Sequence, residues 1–391
     1  MSLIPRWMGK KGFVALLSFT VIFLLLVLLL AVEFRQRNDR TMREIAKLVG
    51  YEDYTTFSVS RISSRDPKLF PLKSRKQVDQ FLLDNRGRLD ITGSEDPDPS
   101  SSLQAVLDYD KDFCEVVETS PGREPQGAEE SFSGAYDVTG VRSRLVSLLV
   151  TARISNGGTQ IPFYSVALSA NESLNGAGNM LQELLRQSVL REFLKEFRFS
   201  YPYDESKLST DDLETLLEVL ERVESPLAAI KGAIRNEILT SIELVFVDRS
   251  EYFPAGPIGY LFEPDIHFYL SYQKQLLNDL ESIETTGAFT PLGEVPWYAI
   301  YTKVLALGEG AMANAVNHSR YTESALDFLK DFLKVQIHQR KFGTPFEGTL
   351  SASSKLTTEV KDGVEVPLLK YVGTKPDRSS EAHLTADFIL P

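Results

Sequence analysis

The chain has one cysteine, Cys114, among its 391 residues, so it forms no internal disulfide. Cysteine poverty fits a cytoplasmic or bacterial-envelope setting and argues against a disulfide-stapled secreted module. Histidine is also scarce. No two of His267, His318, His338 and His383 have the spacing of a metal pair such as H-E-x-x-H. A zinc site built from Cys114 and these histidines would need a long-range assembly that no spacing announces, so no metal or cofactor is expected. There is no G-x-S-x-G elbow and no P-loop. Basic residues are outnumbered 42 to 54, for a formal net charge of −12. That balance argues against nucleic-acid binding, which needs a basic face for the phosphates.

Two short patterns imitate functional motifs and fail on inspection. Asp108, Asp110 and Asp112 have the D-x-D-x-D spacing of a calcium loop. The sixth loop position is Phe113 instead of glycine, and the twelfth is Thr119 instead of glutamate, which favours a polar strand edge. Gly308-Glu309-Gly310-Ala311-Met312-Ala313 fits a degenerate dinucleotide fingerprint. Such a site needs a preceding strand and a βαβ unit, whereas VPWYAIYTKVLAL before it reads as helix. A turn between two helices is the expectation there. No catalytic residue emerges, and the chain reads as non-enzymatic.

What the chain does have is an uncharged run, FVALLSFTVIFLLLVLLLAV, from Phe13 to Val32. Twenty such residues in a helix span about 30 Å, the thickness of a bilayer's hydrocarbon core. The run is long for a cleaved secretory signal, and Leu29 stands where an A-x-A-like site ending at Ala31 needs a small residue. A retained single-pass anchor is expected, with the lipid bilayer as first partner. Arg6, Lys10 and Lys11 flank it on one side. Arg35, Arg37, Arg40, Arg43 and Lys47 flank it on the other, mixed with Glu33, Asp39 and Glu44. A count of Lys and Arg alone favours a cytoplasmic C-terminal flank, but long domains translocate largely regardless of flank charge. The short tail with its Lys-Lys pair suits an N-in anchor. The expected place is a bacterial inner membrane, with the soluble part periplasmic or extracellular.

The junction Lys10-Lys11-Gly12-Phe13, followed by that apolar helix, resembles a type IV prepilin leader over residues 1–45. The resemblance implies cleavage after Gly12 and a mature N-terminus at Phe13. It also implies partnership with other pilin-like or membrane-anchored subunits. Most pilins carry glutamate at the fifth place after the cut, where this chain has Leu17. Its absence is similar to the K-type minor pseudopilins of type II secretion systems, which sit at a filament tip. The alternatives are an ordinary anchor bearing an enzyme or ligand-binding domain, and an unprocessed envelope scaffold.

Beyond the anchor, a composition 43% hydrophobic and 25% charged is that of a globular chain. Residues 1–12 are a basic leader or tail, 13–32 the transmembrane helix, and 33–50 a helical stem with Met42, Ile45 and Leu48 on one apolar face and Gly50 as its stop. Residues 51–175 read as mainly β, with 55–63 strand-like, 76–85 a short helix, and surface loops at 93–102 and 119–134. VRSRLVSLLVTARIS and TQIPFYSVALSA, joined by Asn156-Gly157-Gly158, read as a hairpin, with Pro162 at a strand edge or bulge. KLTTEV and VEVPLLKYV, joined by Lys361-Asp362-Gly363, read as a second hairpin resembling the first, with Pro367 at an edge or bulge.

Residues 176–345 read as mainly helical. Segment 179–197 places Leu181, Leu184, Leu185, Val189, Leu190, Phe193, Leu194 and Phe197 on one stripe. A capping-box-like start follows at Ser209, and Pro226 suits a first helical turn. Segment 243–250 is a strand or a helix end, and 265–283, 295–307 and 319–339 are helices. Residues 346–391 form the C-terminal hairpin region. The expected fold class is therefore α+β: an N-terminal transmembrane helix, then an antiparallel sheet with a large helical insertion. K-type pseudopilins are similar in that order. Tyr252, Phe253, Tyr260 and Phe262 lie in an aromatic, Pro/Gly-rich stretch and are the candidate partner-binding residues.

Overall fold

The first described element is α1, an unbroken 39-residue helix from Lys10 to Leu48. No proline and no glycine after Gly12 interrupts it until Gly50, whose φ of +89° ends the helix in the left-handed region. The Gly50 N–H bonds back to the Lys47 carbonyl at 3.2 Å. The computed structural model describes residues 10–50, 160–173, 180–204, 208–242, 257–286, 309–361, 364–374 and 387–389. It also describes positions 142, 145–146, 148–150, 152–153, 245, 289–290, 293–296, 299 and 302.

The other elements are α2 (Gln160–Ser173), α3 (Met180–Asp204), α4 (Thr210–Glu221), α5 (Pro226–Ile242), a 3₁₀ helix (Pro257–Phe262), α6 (Glu263–Thr286), α7 (Glu309–Phe342), β1 (Ser354–Lys361), β2 (Val364–Tyr371) and β3 (Phe388–Ile389). The chain divides into two compact units. One takes residues 1–59 and 237–313, the other 60–236 and 314–391.

In the first unit, α1 packs on α6 and on the 3₁₀ helix. Met42, Ile45, Ala46 and Val49 of α1 are buried, as are Ile266, Tyr269, Leu270, Leu277 and Leu280 of α6. The stem's apolar face is thus shifted from the expected one. Leu48 is 39% exposed, and Ala46 and Val49 occupy the seam instead. By contrast, the apolar positions from Val14 to Leu30 are exposed almost throughout.

In the second unit the core is built on rings. Tyr164 of α2 meets Phe193 of α3 edge-on at 5.2 Å, and Phe197 stacks on Tyr201 at 5.4 Å. Tyr201 meets Phe332 of α7 edge-on at 5.0 Å, and Phe332 stacks on Phe388 of β3 at 3.7 Å. Offset and edge-to-face pairs of this kind add about 0.5–1.5 kcal/mol each beyond the area they bury. Helix α4 begins with a capping box: Ser209 accepts the Asp212 N–H at 3.1 Å, and Asp212 accepts the Ser209 N–H at 2.8 Å. Its Leu213, Leu216 and Leu220 are buried at helical spacing.

The sheet is antiparallel, in the order β1-β2-β3. The Val372 N–H bonds to the Ser353 carbonyl at 2.9 Å. Alternation along the register then directs the backbone nitrogen of Pro367, opposite Thr358, away from β1. The β1–β2 ladder loses no bond there, although Pro367 lies in the central strand β2, whose described pairs with β3 are those of Leu368 and Leu369.

The hairpin expected at 141–170 is overturned. The described positions between 142 and 153 are helical, and Gln160–Ser173 is α2. Pro162 sits in the first turn of α2, where its missing N–H has no intrahelical partner to lose. The likeness between the two hairpins falls with the first of them. Gly308-to-Ala313 is not a turn between helices in its described part, since α7 already begins at Glu309. The described residues are therefore mostly helical with one small antiparallel sheet, and no strand among them precedes α2 to frame the helices as an insertion. The expectations on 51–141, including Asp108, Asp110, Asp112 and Cys114, and on Asn156-Gly157-Gly158 lie outside the described residues.

Phe332→Ala should lower stability by about 3–5 kcal/mol, because it empties a ring site shared by α3, α7 and β3. Ser209→Ala should cost about 1 kcal/mol through the lost cap. Urea denaturation of the detergent-solubilised full chain measures both, and equal small losses would remove the ring column as the core's main support.

Candidate functional site

Three places bear on function: the exposed rod of α1, the polar seam where its stem meets α6, and a charge cluster inside the second unit. The rod carries the expected cleavage pair. Gly12 is exposed and Phe13 half-buried, both in helical backbone near the start of α1. Leu17 is exposed. Within the rod, Thr20 donates its hydroxyl proton to the Leu16 carbonyl at 2.9 Å, so its polar group is satisfied inside the helix. The run from Phe13 to Val32 contains no charged side chain.

The seam begins about one turn past the apolar run. Asn38 is fully buried. Its amide donates to the Glu263 carbonyl at 3.1 Å and to the Glu263 carboxylate at 2.9 Å. Its oxygen lies 3.0 Å from His267 Nδ1. The His267 ring also faces Phe34 at 5.7 Å. Further along, Lys274 donates to Glu44 at 2.7 Å, and Lys274 beside it holds the Glu44 carboxyl below its usual range. Burial pushes His267 below the ordinary histidine range, and the nearby Arg37 cation pushes it the same way. The neutral imidazole is the form this seam accommodates.

Of the candidate partner residues, Tyr252 and Phe253 lie outside the described residues. Tyr260 and Phe262 fall in the 3₁₀ helix that precedes α6, and Phe262 is half-buried. That helix packs against α1 and α6, so its described part covers the stem instead of standing free as a loop. Leu261 beside it is exposed.

The charge cluster centres on Arg186, which is 0% exposed. Its Nε and one terminal nitrogen grip Glu183 at 2.7 and 2.9 Å. Its other terminal nitrogen donates to Glu172 of α2. Gln187 donates to Glu183 at 2.7 Å and to the Pro226 carbonyl at 3.1 Å, and it accepts from Ser319 of α7 at 2.9 Å. Glu172 also accepts the Glu224 N–H at 3.2 Å, and Asn171 donates to the Arg186 carbonyl at 3.1 Å. Burial alone would lower Arg186, but Glu172 and Glu183 overcome it and hold the guanidinium above its usual range. Burial pushes the Glu183 carboxyl up, against the pull of Arg186 and Gln187.

This cluster was not foreseen. The stripe expected on α3 began at Leu181, Leu184 and Leu185, yet Leu181 is 63% exposed while Glu183, Arg186 and Gln187 are buried. The only available signal was a polar set at i, i+3 and i+4, which also describes a solvated helix face. Chemically the cluster is closed: both carboxylates are engaged by one arginine, and all three charged groups are out of water. It fixes α2, α3, α7 and the start of α5 in one arrangement. Among the described residues no group of three His, Cys, Asp or Glu is placed to hold a metal ion.

Comparison of the chain with protein-family models, curated proteins and solved structures finds no match in any of the three. The geometry itself must be tested. Arg186→Met leaves two buried carboxylates facing each other, and it should cost about 3–5 kcal/mol. Adding Glu172→Gln and Glu183→Gln should return much of that loss in urea denaturation. For His267 the folded value lies below the unfolded one, so the neutral form is favoured on folding. Its contribution is complete above the unfolded value of about 6.5 and declines as pH falls below it. Protection factors of the α6 amides, corrected for the intrinsic slowing of exchange in acid, should therefore fall as pH drops below about 6.5, and His267→Asn should flatten that change. An unchanged profile in the variant would show that His267 is not the titrating group.

Proposed function

We propose that this chain is a single-pass, membrane-anchored, non-enzymatic protein of the bacterial cell envelope, held by α1 and acting through association with other anchored subunits. The observation that carries the reading is the division of α1 into two halves. Residues 14–30 expose leucine, phenylalanine, valine and isoleucine on every side, and residues 38–49 of the same helix supply core positions to a folded unit. Exposing that many large apolar side chains to water is costly. A helix with no charge over twenty residues removes the cost by entering lipid. Retention of the helix is supported by its continuity: cleavage near Ala31 or Val32 would have to act within an unbroken helix whose lower half is packed on α6.

In its finer form the proposal is a prepilin-like minor subunit, processed between Gly12 and Phe13 and, with Leu17 in place of the usual glutamate, placed at a filament tip with no subunit ahead of it. The junction Lys10-Lys11-Gly12-Phe13 supports that form, and removal of residues 1–12 would leave almost all of α1 intact. The helical residues between 142 and 173 withdraw the support that strand order had lent it. They favour, as second reading, an unprocessed assembly scaffold. Mass spectrometry of the mature N-terminus separates the two. Phe13 as first residue supports the pilin-like form, and an intact N-terminal leader in cells possessing the peptidase ends it.

The anchor has its own test. An arginine at the centre of a spanning helix costs about 2.5–3.5 kcal/mol of insertion free energy. Leu24→Arg with Leu25→Arg should therefore move most of the chain from the membrane fraction, whereas Glu33→Arg should leave it there.

A further inference from the structure

Strand β1 ends the sheet, and its outer edge carries backbone groups with no partner among the described residues. Ser353, Lys355, Thr357, Glu359 and Lys361 turn their backbone groups toward β2, an alternation fixed by the Val372-to-Ser353 bond. The N–H and C=O groups of Leu356, Thr358 and Val360 therefore point outward. The Ser354 N–H is already taken by the Ser351 carbonyl at 3.2 Å. Thr358, Glu359 and Val360 are exposed, Val360 by 67%. Such an edge is a template for another strand unless a proline, a bulge or a cover blocks it. β1 contains no proline or glycine, and its register to β2 runs without a bulge from Ser354 to Lys361.

The charges on the edge are selective. Lys355 stands directly opposite Lys370 of β2, a like-charge pair that weakens the ladder. A carboxylate arriving on the open side of Lys355 would compensate it, and β1 carries one itself at Glu359. When a second β1 lies antiparallel with Thr357 opposite Thr357, Lys355 of each copy faces Glu359 of the other. The backbone alternation agrees. Thr357 meets its counterpart in a pair without hydrogen bonds, where the Cα atoms come closer, and Leu356 and Thr358 form hydrogen-bonded pairs on either side. The Val360 N–H then reaches the Ser354 carbonyl of the other copy. Moving the centre to Thr358 sets Lys355 against Lys361, and moving it to Leu356 leaves both charges unpaired.

We propose that β1 is a self-pairing edge, through which two copies of this chain join their C-terminal sheets into one continuous antiparallel sheet with Thr357 on the two-fold axis. The surface does not depend on the membrane reading. The test is cysteine cross-linking of the full chain in detergent, with Cys114→Ser removing the sole native thiol. At Thr357 the two Cα atoms stand about 4.5 Å apart, within the range a disulfide spans. At Thr358 they are diagonal neighbours about 7–8 Å apart, too far to bridge well. Thr357→Cys should therefore give at least about tenfold more linked dimer than Thr358→Cys under a mild oxidant. Glu359→Lys or Lys355→Glu alone should reduce the Thr357→Cys dimer severalfold, and the two together should restore it. Equal linking at 357 and 358, linking at neither, or linking indifferent to the charge changes would each overturn the proposal. So would a monomeric parent chain by light scattering, the result expected if the edge instead takes a strand from another protein.

Discussion

One helix with two kinds of surface is the constraint on which the rest depends. From Val14 to Leu30, α1 presents an almost wholly apolar surface, broken only by Ser18 and Thr20. From Asn38 to Val49 it presents a narrow apolar seam and a polar back. The change occurs without a break in backbone hydrogen bonding, since the helix runs to Leu48. Position within that rod therefore sets what each residue can do: above the change, side chains matter by their apolar character, and below it by fit to α6.

The seam shows why the stem needs specific contacts as well as apolar burial. Asn38 is a polar residue at a fully buried place, and it is tolerated because Glu263 and His267 engage both ends of its amide. A helix sliding or rotating on α6 would leave those groups unpaired. The same logic governs the second unit, where Arg186 is held by Glu172 and Glu183. A buried ion cluster adds little net stability, but an arrangement that misplaces one partner is heavily penalised. In both units the apolar residues supply the driving force, and a few buried polar groups choose among the packings it allows.

The parts legible in the sequence were those with one physical solution. An uncharged run of twenty residues, Ser209 three residues before Asp212, Pro226 opening a helix and Gly50 closing one each leave little choice. The C-terminal hairpin was legible from alternation on both sides of Lys361-Asp362-Gly363. The misread stretch is 142–173. Its valines and its Asn-Gly-Gly suggested strands, yet Leu145, Leu148, Leu149 and Ala152 follow a helical spacing and are buried. Helix α2 is buried nearly all round, so it lacks the one-sided stripe that marks a helix in sequence. The charge cluster escaped because Glu183, Arg186 and Gln187 share a helix with leucines one position away. Pattern alone does not say which set turns inward. The aromatic candidates were half legible: Phe262 belongs to a 3₁₀ helix against the stem, a packing role that composition could not separate from a binding one.

The account stands on α1 residing in lipid. Flotation of native membranes on a density gradient, followed by alkaline extraction, addresses it most directly. The full-length chain should rise with the membranes, stay with them at high pH, and enter solution only with detergent. Recovery of the full-length chain as a dissolved, unsedimented species without detergent would contradict the account at its root.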